Sequence, residues 1–230
     1  SPISMTLQNG VVLGASPKVS KVLKAAVDKV IPSPFYKKTE VQDIYNEMTL
    51  SFRGSYGLVF RMYNDGLAYR FTTKMKNDIV VVDEEADYTF SSDHMAFAPY
   101  VNSKKATFEE QFMNSFEQPY VHEPITKLNS KRLMILPLLV ELDGGKKLCI
   151  TEADLEDYPG MFLNNSTDKP VLKPIFASYP KVKKQGGHNN LQMLVEERED
   201  YIAKTSGTRA FPWRVFIVSE NDKQLADCDM

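Results

Sequence analysis

Four carboxylates lie within six residues at Glu152, Asp154, Glu156 and Asp157. Paired carboxylates can serve glycoside hydrolysis as acid and base, or as acid and nucleophile. The same acids could instead sit on a capped helical turn, because Thr151-Glu152-Ala153-Asp154 approximates a capping box and acids stabilise a helix start. A second group, Glu117, His122 and Glu123, falls in the string Phe116-Glu117-Gln118-Pro119-Tyr120-Val121-His122-Glu123-Pro124. Oxygen and nitrogen donors could hold a metal there. Their spacing matches no closed zinc pattern, whereas glutamate alone suits calcium. A third candidate is Arg209-Ala210-Phe211-Pro212-Trp213-Arg214, in which Trp213 could stack on a sugar ring. A single Trp in a β domain is more often core. His94 and His188 have no Ser or Cys partner at a telling distance, and the sequence holds no nucleophile elbow, phosphate loop or dinucleotide fingerprint.

The elements that must position these residues are mostly strands. Met48, Leu50 and Phe52 alternate with polar residues, as do Leu58, Phe60 and Met62, and then Leu67, Tyr69 and Phe71. Such a period of two marks strands with one buried face. Asn64-Asp65-Gly66 supplies a tight turn, so residues 44–73 are expected to form a three-stranded meander. Further strands are expected at 79–82, 95–100, 107–112, 133–142, 146–151, 201–204 and 214–218, with Asp143-Gly144-Gly145 as a second hairpin turn and Pro137 at an edge or bulge. Residues 18–30 fit helix or strand equally. Ser219-Glu220-Asn221-Asp222 is expected to cap a short terminal helix. Residues 164–190 are expected to be a loop-rich excursion, with Lys181, Lys183 and Lys184 in a solvated loop. Many strands over 230 residues imply an all-β fold, a large two-sheet antiparallel β-sandwich with few short helices, as one domain over 1–230.

Composition narrows the function classes. A net charge of -2 argues against a general nucleic-acid binder, so no nucleic-acid partner is expected. No run approaches the ~20 apolar residues a membrane helix needs, so no membrane insertion is expected. Two cysteines are too few for a disulfide scaffold; Cys149, in an apolar run, is expected to be a buried thiol.

Five strings together resemble the amino-terminal domain of glycoside hydrolase family 97. They are Ser1-Pro2-Ile3, Tyr45-Asn46-Glu47, the run from Arg61 to Arg70, the run from Ile150 to Met161, and Pro212-Trp213-Arg214. They follow the family's order and span nearly the whole chain. The resemblance implies a galactose-mutarotase-like supersandwich, followed after residue 230 by a catalytic (β/α)₈ barrel, with further strands ahead of Ser1. It implies a parent α-glucosidase or α-galactosidase, exported to the periplasm or secreted, acting on α-linked oligosaccharides or glycosides. The catalytic carboxylates would lie on the barrel, leaving none here, and Glu152 and Asp154 would be structural. It also implies that Glu117, followed by Tyr120, is a calcium ligand completed by the barrel, so that the chain alone holds no tight calcium. Two further readings remain from the sequence: an autonomous carbohydrate-binding module, and a partner-binding domain with no sugar role.

Overall fold

The computed structural model describes residues 3–102, 105–113 and 117–230. The chain opens with β1 (Ser4–Leu7), β2 (Val12–Leu13), β3 (Val19–Pro32), β4 (Glu40–Phe52), β5 (Tyr56–Tyr63), β6 (Gly66–Lys74), β7 (Ile79–Glu85), β8 (Tyr88–Thr89) and β9 (Met95–Ala98). Helix α1 (Phe108–Gln111) follows, then β10 (Val121–Pro124), β11 (Leu138–Glu141), β12 (Lys147–Ala153), β13 (Met161–Asn164) and β14 (Val171–Phe176). The last elements are β15 (Pro180–Gly186), β16 (Gln192–Arg198), β17 (Ala203–Thr205), β18 (Thr208–Ala210), β19 (Trp213–Ser219) and α2 (Asp222–Asp227).

The fold is the expected all-β sandwich, and its sheets are antiparallel. A ten-stranded main sheet runs β10-β9-β11-β12-β19-β6-β5-β4-β3, with β18 also paired to β6. A second layer is built from a four-stranded sheet, β17-β7-β1-β2, and a three-stranded sheet, β13-β14-β8. Strands β15 and β16 form a separate hairpin. One core joins the layers: Leu58, Tyr69, Phe71, Leu138 and Ile150 from the main sheet meet Met5, Val81, Met161 and Leu172. The alternation that made these strands legible is what fills that core, because successive side chains leave opposite faces.

The outer face of the main sheet has its own smaller cluster. Val59, Ala68, Trp213, Val215 and Ile217 lie there, one residue out of phase with the core set, and Leu225, Cys228 and Met230 pack on them. The terminal helix therefore rides the outside of the sheet. Asn221 caps it, its side chain accepting from the Gln224 N–H at 3.0 Å. Among the described residues no helix is long and apolar enough to cross a membrane. Both cysteines are free thiols, half-buried rather than fully buried.

Five local expectations are corrected. Residues 107–112 are not a strand: Thr107 caps α1, and Glu110 reaches back to the Thr107 N–H at 3.0 Å, closing a capping box. The other capping-box reading, at 151–154, fails because Thr151, Glu152 and Ala153 belong to β12, paired residue by residue with β19. Residues 164–190 are not a loop excursion, since β14 and β15 lie there. Lys181, Lys183 and Lys184 are solvated, but on strand β15. Pro137 precedes β11 rather than sitting inside it, and its bond to Leu136 is cis.

Candidate functional site

The densest set of ionisable groups lies between the layers. Glu152 on β12 and Arg214 on β19 are directly opposite in the sheet register, both on the inner face. Glu84 reaches them from β7 in the second layer. Arg214 donates from Nε to Glu84 Oε1 at 2.9 Å and from Nη2 to Glu84 Oε2 at 2.8 Å, a bidentate pair. Its Nη1 donates to Glu152 Oε2 at 2.8 Å. Glu152 also accepts the Met161 backbone N–H at 3.0 Å, and the Tyr158 hydroxyl donates to Glu84 Oε2 at 3.0 Å. The Arg214 side chain is 1% exposed, and its guanidinium lies 5.1 Å from the centre of the Phe176 ring.

The electrostatics follow from burial and pairing. Burial alone would lower the Arg214 pKa, but the charge and hydrogen bonds of Glu84, with smaller help from Tyr158 and Tyr88, hold it above the ordinary arginine value. Burial raises the Glu152 carboxyl, and the Arg214 charge opposes that shift. Burial also pushes Tyr88 up to about 12 and Tyr158 well above its usual range. One cation thus holds two carboxylates away from water. This arrangement ties the two layers together. It is not poised for acid–base exchange with an incoming substrate.

Asp154 leaves this network altogether. Its backbone is left-handed (φ 58), so the chain turns and the side chain reaches the outer face, where it accepts from Arg70 Nη1 at 2.8 Å. Arg70 and Arg61 lie 4.2 and 4.7 Å from the centre of the Trp213 ring, and Arg61 donates to Glu47 at 2.9 Å. Trp213 is 8% exposed, in agreement with the core reading. The hollow beside it, bordered by Arg61, Tyr63 and Met230, is about 140 Å³, below the range of ordinary ligand pockets.

The residues proposed from sequence as metal donors do not converge. Glu117 is exposed in an irregular stretch ahead of β10. His122 and Glu123 are neighbours on β10 and so face opposite ways. His122 stacks on Phe97 at 4.1 Å and bonds Glu141 at 2.8 Å. Among the described residues no three His, Cys, Asp or Glu side chains gather as a metal cage. The donor set therefore fits calcium only in part: Glu117 could supply one of the six to eight oxygens, and the others would have to come from outside this chain.

Sequence reading missed Glu84. Ile79 and Val81 point inward, so strict alternation would send Asp83 inward and Glu84 outward. A register shift between Thr6 and Leu7 against β7 breaks that phase and turns Glu84 into the core. An irregularity of this kind leaves no mark on apolar periodicity.

Comparison with known proteins gives a consistent result. The profile described as Glycosyl-hydrolase 97 N-terminal matches residues 1–230. The chain is 51% identical over 227 residues to a retaining alpha-galactosidase of Bacteroides thetaiotaomicron, covering 98% of this chain and 34% of that protein. It therefore spans about a third of that curated relative. A glycoside hydrolase family 97 enzyme from Pseudoalteromonas sp. strain K8, solved with acarbose, superposes with a TM-score of 0.77 at 21% identity, over 99% of this chain and 31% of that one. A beta-arabinopyranosidase superposes with a TM-score of 0.74 at 19% identity, over 96% and 34%. At those identities the structural likeness speaks for the fold.

Proposed function

Since the chain belongs to glycoside hydrolase family 97 as its amino-terminal domain, we propose that it is the non-catalytic part of an exo-acting α-glycoside hydrolase, packing on that enzyme's catalytic barrel. The observation that carries this reading is the fate of the carboxylates. Glu152 is held by Arg214 together with Glu84, and Asp154 is paired with Arg70, so two of the four acids that sequence made candidates serve the scaffold. Retaining glycosidases need two carboxyl groups about 5–5.5 Å apart with one proton to give, in a cleft a sugar can enter. A guanidinium between buried carboxylates meets none of those needs.

The parent's sugar is an α-galactoside on this reading, which the sequence identity to the curated relative supports. Glu117 is the residue through which this domain would contribute to the parent's site. A calcium ion held there would bring a fixed positive charge among oxygen ligands. Glu117 presents a carboxylate from an exposed stretch, where a neighbouring domain can reach it. The parent would be periplasmic or secreted.

The test is hydrolysis of nitrophenyl α-galactoside and α-glucoside, with and without calcium, by this chain and by the parent-length protein. Activity confined to the longer protein supports the reading. Turnover by the 230-residue chain overturns it. Calorimetry separates out the metal: tight calcium binding by the parent, weakened in Glu117→Gln and missing from this chain, is the expected pattern. Micromolar binding by the chain itself would remove Glu117 from its proposed role.

A further inference from the structure

Strand β3 ends the main sheet on one side and is its longest strand, 14 residues from Val19 to Pro32. One side of it is paired with β4, and that register runs unbroken from Lys21 opposite Ser51 to Pro32 opposite Glu40. The other side has no strand beside it among the described residues. A row of backbone N–H and C=O groups is thus left open along a long, regular strand. Nearly all of β3 is exposed, and Val22, Leu23 and Val30 are 47%, 51% and 48% exposed. Edge strands are usually blunted by shortness, bulges or charge. The one irregularity of β3 lies at its start, between Val19 and Lys21. Lys29 is matched within the chain, by Asp43 at 3.2 Å. Lys24 and Asp28 share a face of the strand, are exposed, and have no ion-pair partner among the described residues.

We propose that this edge is a homodimer interface, in which β3 pairs antiparallel with β3 of a second copy across a twofold axis at Ala26. Such pairing joins the two main sheets into one and satisfies both open backbone rows. The register follows from the charges. Directly opposed residues of antiparallel strands share a face, so the twofold axis passes through a residue and not between two. An axis at Lys24 sets two lysines against each other, an axis at Ala25 opposes Lys21 to Lys29, and an axis at Asp28 opposes two aspartates. An axis at Val27 leaves Lys24 against Val30 and Asp28 against Ala26. At Ala26, Lys24 of each copy meets Asp28 of the other, so the attractive pair forms twice. Val22 then meets Val30, Ala25 meets Val27, and Lys21 and Lys29 face Ile31 and Leu23. No like charges are opposed. Ala26 also lies near the middle of the strand, so the two copies overlap from Ser20 against Pro32 to Pro32 against Ser20.

Analytical ultracentrifugation of this chain and of the parent-length protein, over the micromolar range, tests the association. The expected result is a reversible monomer–dimer equilibrium in both. Lys24→Glu should weaken it about tenfold or more, because two opposed like-charge pairs replace two attractive ones. Asp28→Lys should do the same, and the double exchange of Lys24→Glu with Asp28→Lys should restore it. Both positions are exposed, so the monomer fold is left intact. Ala26→Cys tests the register. Opposed Cα atoms are about 4.5–5.5 Å apart, within disulfide reach, so oxidation should link the dimer. Val22→Cys should not link, because its counterpart on the second copy would lie about eight residues, or roughly 26 Å, along the strand. The unaltered chain, with its free Cys149 and Cys228, is the control. A monomer at every concentration in either protein overturns the proposal. So does a dimer that Lys24→Glu leaves unchanged, or one that the double exchange does not restore, since the contact would then lie on another face. Linkage through Val22→Cys equal to that through Ala26→Cys would reduce the pairing to chance collision and overturns it as well.

Discussion

Two regions of the same inner sheet face differ in a single respect. Around Phe71, Ile150 and Arg214 the face is covered and these side chains are buried. Around Met48, Met62 and Leu67 it carries the same alternation and lies open. The strands are continuous between the two regions, since β5 contributes Leu58 to one and Met62 to the other. Apolar periodicity therefore tells which face of a strand expects cover. It says nothing of what supplies that cover. The covered half also tolerates an ion-paired arginine, because the second layer brings Glu84 to meet it.

The largest effect should come from the covered half. Arg214→Ala leaves Glu84 and Glu152 buried without their cation, and breaking a buried pair in this way costs about 3–5 kcal/mol. The loss should grow with pH. Burial already raises the Glu152 carboxyl, and without Arg214 the charge that opposes this shift is gone, so the folded variant binds more protons than the unfolded chain above the ordinary carboxylate range. Its stability then falls as pH rises through that window. Urea unfolding of the two proteins at pH 4 and pH 7 measures this. A deficit that is the same at both pH values would mean that Arg214 acts through packing alone.

A matched pair of truncations sharpens the comparison further. Phe71→Ala, in the covered half, should cost about 3–5 kcal/mol through lost burial and the cavity left behind. Met62→Ala, in the open half, should change this chain's stability by no more than about 0.5 kcal/mol, as for an ordinary surface substitution. Equal losses from the two truncations would show that Met62 is as much a part of the core as Phe71.

How much of this was legible in the sequence depends on whether one period dominated locally. The extent of β5, Tyr56–Tyr63, could be read directly, because alternation is strict and Asp65-Gly66 ends it with a turn. Strand β3 could not be separated from helix, because nearly all of it is exposed and no single face selected its apolar residues. Helix α1 was hidden although Thr107 and Glu110 carry the capping signature. The same signature at Thr151 was misleading, since pairing with β19 outweighed it. Of the buried network, Arg214 was visible as a strand residue, Glu152 was read into a capped turn just past the expected strand, their pairing is a matter of register, and Glu84 depends on a bulge. Glu117 was a candidate metal donor by residue type, and its calcium role came only from the family resemblance.

The smallest expected effect concerns the outer face, where the cover is the chain's own terminal helix. Cys228 lies in that cover and Cys149 beneath it, both packed against the Trp213 cluster. Burial raises both thiols. For Cys228 the backbone N–H of Met230 opposes the shift, while donation of its thiol to Asp65 Oδ2 at 3.1 Å and the nearby carboxylate charges add to it, bringing it to about 11. The thiolate is the reacting form, so both should alkylate slowly near neutral pH in the folded chain. Asn221→Ala weakens the cap of the terminal helix by about 1 kcal/mol, which should loosen this cover without touching the sandwich core. The expected outcome is faster iodoacetamide labelling of Cys228 and Cys149 in the variant, with the unfolding midpoint of the sheet shifted only slightly. If labelling is unchanged, the helix is not what shields the outer face, and the half-burial of the two thiols comes from the sheet and its side chains alone.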